Sequence, residues 1–372
     1  FSDLWMVRLS IAYLVYTLEY FNFAYTRQFY SAVKLSRKEL KKLSFLNIPM
    51  EETQIDPKIL TKIELLQEKF KASGQDMLSY LEGLLYADYL TYWEYINLDT
   101  LLSLQQPKTS FKDEKIFIIY HQITELYFKL IVSELEQIAD HKPISDEFFK
   151  ARLERVLMYF DHLISSFAMM WKGMEKEQFL KFRMSLLPSS GFQSAQFREI
   201  ELMSTDAWNL VAVGMRKQFG ATSSAEGLFE NLYWQQGAIE LATGQKTLTL
   251  KSFEAKYRKG LVELIKNYRS KNLWKRYSEL VNPSEELREL MRQFDLKANV
   301  FWPLAHFKSA VRYLQRDPVD IAATGGTNWQ KYLPPRFQKV IFFPELWSQG
   351  EQAEWGKGWV VKEIFGEEIQ KE

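Results

Sequence analysis

The chain has 372 residues, with 48 basic and 47 acidic side chains, so its net charge gives no general attraction to nucleic acid or to an anionic membrane, and we expect neither as a partner. It contains no cysteine, which excludes disulfides, iron–sulfur clusters and every thiolate-ligated metal site and fits a reducing cytoplasm. Only four histidines are available, so a metal site has to use one or two imidazoles.

The first 52 residues form an N-terminal extension to which the sequence assigns no role. Its most apolar stretch, Leu9 to Ala24, is interrupted by polar side chains and is too short for a membrane span. No small-residue cleavage site follows it, so we expect no signal peptide. We predict a helical domain over residues 53–350 and a C-terminal tail over 351–372.

Beyond the extension, apolar residues recur at spacings of three and four, and the chain has only 16 glycines and 11 prolines. This pattern predicts an all-α protein built as one large helical bundle. The longest predicted helices are Leu60–Ala72, Ser110–Ile138, Asp146–Met174, Ser252–Tyr268 and Ser284–Leu314. A weak β pattern is confined to Gln338–Phe343.

The predicted helix Ser110–Ile138 is apolar on nearly every side, which is typical of a helix that is buried all round. We assign its core stripe to Ile116, Ile119, Ile123, Leu126, Tyr127 and Leu130. His121 then lies inside, either as a core histidine bound to a backbone carbonyl or as a functional group. His162 falls opposite the apolar stripe of its helix and His141 stands at a helix end, so neither is given a functional role.

Arg183 shares a helix face with Phe179 and nearby leucines in the segment Glu177–Leu187. A guanidinium there loses its hydration and requires an anion. That anion is either an internal carboxylate or the carboxylate of a ligand, which matches the planar guanidinium with two hydrogen bonds. The turn Pro188–Gly191 follows at once and offers hydroxyl and N–H groups beside the cation.

His306 has Trp302 and Pro303 one turn before it and Ser309 and Ala310 one turn after it. Small neighbours leave the space that a planar macrocycle needs above a single axial imidazole, so a haem site is physically reasonable. The alternative is a histidine packed under a helix that Pro303 kinks. Further on, the loop Ala323–Thr327 is either a linker or a lid; it lacks the lysine and the preceding strand of a phosphate loop.

Several separated motifs resemble, in the same order, those of the tryptophan 2,3-dioxygenase family. They are TYWEYINLDTLL at 91–102, DEKIFIIYHQ at 113–122, ELYFK at 125–129, FR at 182–183, PSSGFQS at 188–194, WPLAH at 302–306 and TGG at 324–326. The motifs span about two thirds of the chain. The resemblance implies a helical bundle that encloses a haem pocket.

The resemblance also implies an activity and a cofactor. Haem b, ferrous in the active state, would use O2 to open the indole ring of L-tryptophan to N-formylkynurenine, the first step of the kynurenine pathway. His306 would be the axial iron ligand and Trp302, Ser190 and Gly191 would lie at the cofactor. His121 would be the catalytic residue on the opposite side of the haem.

For the substrate, the resemblance implies that Phe117, His121 and Phe179 contact the indole and that Arg183 and Thr324 hold the carboxylate and ammonium. It implies a cytoplasmic homotetramer, a dimer of dimers. Residues of a neighbouring subunit would complete each pocket, and these are Tyr92, Tyr95 and Ile96.

Two positions and one loop depart from the family pattern. Phe179 stands where tyrosine is common, Ile96 where leucine is common, and the loop reads Ala-Thr-Gly-Gly-Thr-Asn-Trp over residues 323–329. The altered loop leaves open a haem-dependent oxygenase or hydroxylase of another aromatic amino acid. A separate alternative is a catalytically silent haem-binding helical protein.

Overall fold

A computed structural model describes residues 56–87, 90–186, 193–239, 243–315, 330 and 333–357. The chain divides into two compact units, Phe1–Tyr92 and Trp93–Glu372. The N-terminal extension lies outside the described residues, and the tail is described only as far as residue 357. The domain boundaries suggested by the sequence stay predictions.

All regular structure in these ranges is helical, which confirms the predicted all-α class. The first unit contains α1 (Pro57–Ala72) and α2 (Met77–Leu85), and the short helix α3 (Tyr92–Tyr95) lies at the division between the units. The aspartates at residues 56 and 76 begin α1 and α2, because each carboxylate accepts a hydrogen bond from a free backbone N–H of the first turn.

The second unit holds the remaining helices. They are α4 (Leu98–Ser103), α5 (Asp113–Asp140), α6 (Asp146–Ser166), α7 (Ala168–Trp171), α8 (Lys176–Phe182), α9 (Ala195–Ser204), α10 (Ala225–Glu230), α11 (Tyr233–Gln236), α12 (Leu248–Tyr268), α13 (Leu273–Ser278), α14 (Glu285–Leu296), α15 (Trp302–Leu314), α16 (Pro335–Gln338) and α17 (Gln349–Ala353). Short 3₁₀ turns occur at Arg183–Leu186, Ala207–Leu210, Arg216–Gln218 and Pro344–Leu346.

The core of the second unit forms where α5 packs on α6 and α9, with α14 against α6 and α12 against α9. Phe149, Phe160 and Phe294 are fully buried between these helices. Burying an aromatic side chain of this size contributes about 2–3 kcal/mol. The long helices therefore form one bundle that can hold a site rigidly.

The buried face of α5 differs from the predicted stripe. Leu126 is 54% exposed and Leu130 is 44% exposed, whereas the buried face follows Tyr120, Phe128 and Ile131. The prediction was wrong because the helix is apolar nearly all round, so its periodicity does not decide which side meets the core. The other sides of α5 remain available for a second role.

By length and composition, α5 is the one helix in the described part of the chain that could cross a membrane. This is weak evidence, because the core helix of a bundle passes the same test. Its apolar composition has a local cause: one side packs on α6 and α9, and another lines a cavity.

Other predicted elements are confirmed with changed boundaries. The helix predicted over Asp146–Met174 ends at Ser166, and α7 follows after Phe167. His162 is exposed and His141 caps the end of α5, as expected.

The helix predicted over Ser284–Leu314 is present as α14 and α15, which are joined by a π turn at Lys297–Phe301. No strand forms at Gln338–Phe343, where we saw a weak β pattern. The backbone N–H groups of Phe342 and Phe343 donate to the carboxylate of Asp295 instead of to a second strand.

Candidate functional site

A cavity of about 970 Å³ lies within the second unit. Its walls include α5 on one side, α15 and the π turn on another, and the segment around α16. Cavities that hold small molecules and cofactors usually measure about 300–1,000 Å³, so this one is large enough for a sizeable flat ligand. Most lining side chains are apolar or aromatic, and a few are polar.

The structure brings some of the predicted site residues together. Lining the cavity are Phe117, His121, Phe179, Trp302 and His306. Arg183, Tyr95 and Ile96 are described but do not line it. Tyr92 belongs to the first unit. Ser190, Gly191 and Thr324 lie outside the described residues.

His121 faces the cavity and is accessible from it. It also makes the contact with a backbone carbonyl that our core-histidine alternative predicted. Its Nδ1 lies 2.7 Å from the carbonyl oxygen of Phe117. A carbonyl only accepts hydrogen bonds, so Nδ1 carries the proton and Nε2 keeps a lone pair. The Phe117 ring lies 4.1 Å from the imidazole, between centroids, and fixes its orientation.

The surroundings of His121 keep it neutral. Desolvation by the protein atoms around the imidazole lowers its pKa below the usual range, even though the ring is open to the cavity. This effect outweighs the hydrogen bond to Phe117 and the charge of Glu125, which both act to raise the pKa. A neutral imidazole with a free Nε2 is a hydrogen-bond acceptor. It suits a ligand that presents an N–H group.

His306 projects from α15 into the same cavity. Burial, with a smaller contribution from the charge that His121 would carry, lowers its pKa to about 4. The imidazole is therefore neutral at physiological pH, which is the form that binds a metal. The ring of Phe167 lies 5.5 Å away, and Ser309 and Ala310 follow one turn later at the cavity wall.

An aromatic cluster forms one wall. Phe117 lies 6.3 Å from Phe179, and Phe179 lies 4.4 Å from Tyr313, between ring centroids. The Tyr313 hydroxyl donates to the carbonyl of Met170 at 2.6 Å, which fixes its ring. Sequence reasoning missed Tyr313. Its spacing of seven from His306, two turns along the same helix face, was the available signal.

A polar network, also missed at the sequence level, lies at another part of the cavity. Arg198 lines the cavity and is only 6% exposed. Its guanidinium donates to Glu201 at 2.7 Å and to the hydroxyl of Tyr233 at 3.1 Å. The Tyr233 hydroxyl in turn donates to Glu201 at 2.5 Å. The network holds a cation rigidly at the wall.

Arg183 is buried, as predicted, but it lies just beyond the end of the helix in which we placed it. The helix α8 ends at Phe182, and Arg183 begins a 3₁₀ turn in which it is only 5% exposed. Burial lowers the pKa of Arg183, although a guanidinium remains charged. Leu186, in the same turn, does line the cavity. The Arg183 side chain is therefore buried, and it is only three residues along the chain from Leu186, which lines the cavity.

The donor set fits a haem better than a bare metal ion. In the described ranges, no three or more His, Asp or Glu side chains come together as a metal site. A haem needs only one axial imidazole, because the porphyrin supplies the four other nitrogens. His306 offers that imidazole in its neutral form, beside small residues and inside a cavity of sufficient volume.

The fold and the cavity define an all-α protein with a site suited to a haem on a single imidazole. The family model described as tryptophan 2,3-dioxygenase matches residues 83–302. The match includes His121 and Arg183 and ends four residues before His306. The chain belongs to the tryptophan 2,3-dioxygenase family, which confirms the resemblance seen in the motifs.

Individual relatives agree. The chain is 30% identical to tryptophan 2,3-dioxygenase of Polaromonas naphthalenivorans (strain CJ2) over 270 residues, which cover 70% of this chain and 90% of the relative. It is 28% identical to that of Pseudomonas fluorescens over 274 residues, 71% of this chain and 91% of the relative. A shorter match to that of Sorangium cellulosum (strain So ce56) is 39% identical over 126 residues, 31% of this chain and 30% of the relative.

Proposed function

We propose that this protein is a haem-dependent dioxygenase that opens the indole ring of L-tryptophan with O2 and releases N-formylkynurenine. The observation that carries the proposal is the presence of two neutral imidazoles, His121 and His306, in the wall of one cavity. His306 would hold haem b, and the ferrous cofactor would supply the centre at which O2 is activated for insertion across the indole C2–C3 bond.

The chain itself would bind and orient the substrate. The free Nε2 of His121 would accept a hydrogen bond from the indole N–H, while Phe117 and Phe179 would pack on its ring. Arg183 would hold the amino-acid carboxylate. Holding the indole ring at one end and the carboxylate at the other orients the substrate before the reaction begins. Less orientational entropy then has to be lost on the way to the transition state.

The other roles implied by the resemblance are part of the same proposal. Ser190, Gly191 and Trp302 would lie at the cofactor, and Thr324 would bind the substrate. The absence of cysteine supports a cytoplasmic location. Nothing in the balanced charge favours nucleic acid or a membrane surface as a partner.

The test is direct. Purified protein is loaded with haemin, reduced without air, and given tryptophan and then oxygen, while the Soret band and the product are followed. We expect a Soret band and the near-ultraviolet absorbance of formylkynurenine. A hydroxylated product would favour the alternative oxygenase, and bound haem without oxygen consumption would favour a catalytically silent protein.

The protonation of His121 gives a prediction for the pH dependence. We expect kcat/KM for tryptophan to stay constant as the pH falls to about 6.5 and to decline only below it, because burial holds the pKa of His121 below its usual range. Protonation places a donor at Nε2, where the indole N–H needs an acceptor. Steady-state rates across the pH range test this, with His121→Ala as the control that should lack the decline. A decline that begins above neutrality would contradict the assignment.

A homotetramer with shared pockets is also proposed. Tyr95 is 75% exposed and Ile96 is half-buried, and neither lines the cavity of its own chain. Exposed aromatic side chains are typical of surfaces that meet another subunit. These two residues, with Tyr92, would complete the pocket of a neighbour.

Mixed assemblies test the shared pocket. We expect the wild-type protein to sediment as four chains, and Tyr95→Ala to bind haem but turn over poorly. Mixing Tyr95→Ala with His306→Ala chains should restore part of the activity, because one pocket in a mixed pair receives an intact Tyr95 from one chain and an intact His306 from the other. Failure of the mixture to recover activity after subunit exchange would contradict a shared pocket.

A further inference from the structure

Asp295 is a fully buried carboxylate at the end of α14 that accepts four hydrogen bonds. Its Oδ1 accepts from the side-chain amide of Asn299 at 2.8 Å and from the backbone N–H of Phe342 at 2.9 Å. Its Oδ2 accepts from the indole N–H of Trp347 at 2.9 Å and from the backbone N–H of Phe343 at 3.1 Å. Each oxygen therefore has two donors.

Burying the charged carboxylate of Asp295 at this position costs free energy. Burial raises its pKa to about 6, although all four hydrogen bonds favour the charged form. Among the described residues, no charged neighbour contributes to this shift. Buried polar groups of this kind are retained in some proteins because they specify one arrangement of the chain. The arrangement that Asp295 specifies follows from its partners.

Asn299 belongs to the π turn Lys297–Phe301 between α14 and α15. The backbone N–H of Trp302 donates to the carbonyl of Lys297, five residues earlier. Pro303 explains the wider turn, because it has no N–H to donate to the carbonyl of Asn299, four residues earlier, and its ring would collide with that carbonyl. The side chain of Asn299 is held by Asp295, so the carboxylate fixes the turn from inside.

The π turn decides where His306 points. A π turn takes up about one residue more than an α turn, so the helix that follows is rotated by about 100°. In a continuous α-helix, Asp295 and His306 are about three full turns apart and would share one side. With the π turn, Asp295 faces the C-terminal segment while His306 faces the cavity.

The remaining partners of Asp295 lie in the C-terminal segment, a few residues beyond those that line the cavity. Phe342, Phe343 and Trp347 continue the segment in which Gln338 and Val340 line the cavity. The Asp295 carboxylate therefore connects the π turn, which sets the direction of α15, to the C-terminal segment that continues from the cavity wall.

We propose that Asp295 is a positioning residue for the axial imidazole. It holds the π turn against the segment 340–347 and so sets the direction in which His306 enters the cavity. Measurements on the haem-bound protein rest on the proposed role of His306 as the iron ligand. Hydrogen exchange in the protein without haem tests the inference independently of the cofactor.

The main variant is Asp295→Asn, which keeps the shape but turns an NH2 group toward two of the four donors. Without haem, we expect amide hydrogen exchange in residues 297–307 and 340–347 to become at least about tenfold faster, because losing a hydrogen bond to a buried charged group opens the turn more often. With haem bound, we expect a shifted iron–histidine stretching frequency and a shifted midpoint potential, both sensitive to the orientation and contacts of the axial ligand.

Asp206→Asn is the matched control. Asp206 is also a buried aspartate, 5% exposed, and accepts from Asn272 at 3.0 Å and from Lys275 at 2.7 Å. Neither it nor these partners line the cavity. We expect this variant to lower the melting temperature while exchange in residues 297–307, the stretching frequency and the potential stay at wild-type values.

The milder variant Trp347→Phe removes one donor to Oδ2. It should change the exchange rate, the stretching frequency and the midpoint potential in the same direction as Asp295→Asn, but by less. It carries the test if Asp295→Asn does not fold. The proposal would be overturned if Asp295→Asn exchanged residues 297–307 at the wild-type rate, or if it left the iron–histidine frequency and the midpoint potential unchanged. It would also be overturned if Asp206→Asn changed these quantities as much as Asp295→Asn does. If wild-type protein shows no Soret band while Asp295→Asn still speeds exchange, the proposed cofactor fails and the structural link stands.

Discussion

His306→Ala is expected to give a folded protein that no longer retains haem. Among the described residues, His306 and His121 are the imidazoles that line the cavity, and the chain has no cysteine to substitute as a ligand. With its pKa lowered to about 4, His306 is neutral at physiological pH and ready to bind iron. Removing a partner of a metal ligand already costs about 10–100-fold in affinity, so losing the ligand itself should cost at least about 100-fold. Titration of the apoprotein with haemin measures the change.

Two controls separate ligation from folding. His162→Ala should bind haem like the wild type, because His162 is exposed and stacks on Tyr127, 5.7 Å away between ring centroids. Free imidazole added to His306→Ala should restore the Soret band by entering the vacated space. If His306→Ala binds haem as tightly as the wild type while His121→Ala does not, the axial ligand is His121.

The surroundings of His306 could be predicted from the sequence because they depend on spacing within one helix. Trp302, Ser309 and Ala310 lie three or four residues away, and the structure places all of them at the cavity wall with His306. The sequence also predicted that Pro303 disturbs the helix, although not the form that the disturbance takes. The helix does deviate there, as a π turn, since proline removes one backbone donor.

Features that depend on several segments could not be predicted in this way. The side of α5 that meets the core was wrongly assigned, because an all-round apolar helix has no periodic signal to separate core from cavity. Asp295 was missed because three of its four donors are about 50 residues further along the chain, beyond the reach of any local pattern.

Arg183→Ala is expected to raise the apparent KM for tryptophan by more than about tenfold, a loss of about 1.4 kcal/mol or more of binding free energy. The proposed bidentate contact with the substrate carboxylate forms in the ground state as well as in the transition state, so kcat should change less than KM. Arg183→Lys should recover little, because an ammonium does not reproduce the planar pair of donors. Steady-state kinetics on haem-loaded variants with equal Soret absorbance provide the measurement.

The competing assignment gives the carboxylate to Arg198, which lines the cavity whereas Arg183 does not. On that assignment, Arg183→Ala leaves KM unchanged and Arg198→Ala raises it. The two variants also differ in stability, since Arg198 pairs with the fully buried carboxylate of Glu201, and removing one member of a buried ion pair costs about 3–5 kcal/mol. Because Arg198→Ala should lower the melting temperature on either assignment, KM is compared in folded, haem-loaded variants. The arginine whose removal raises KM there is the one that binds the substrate carboxylate.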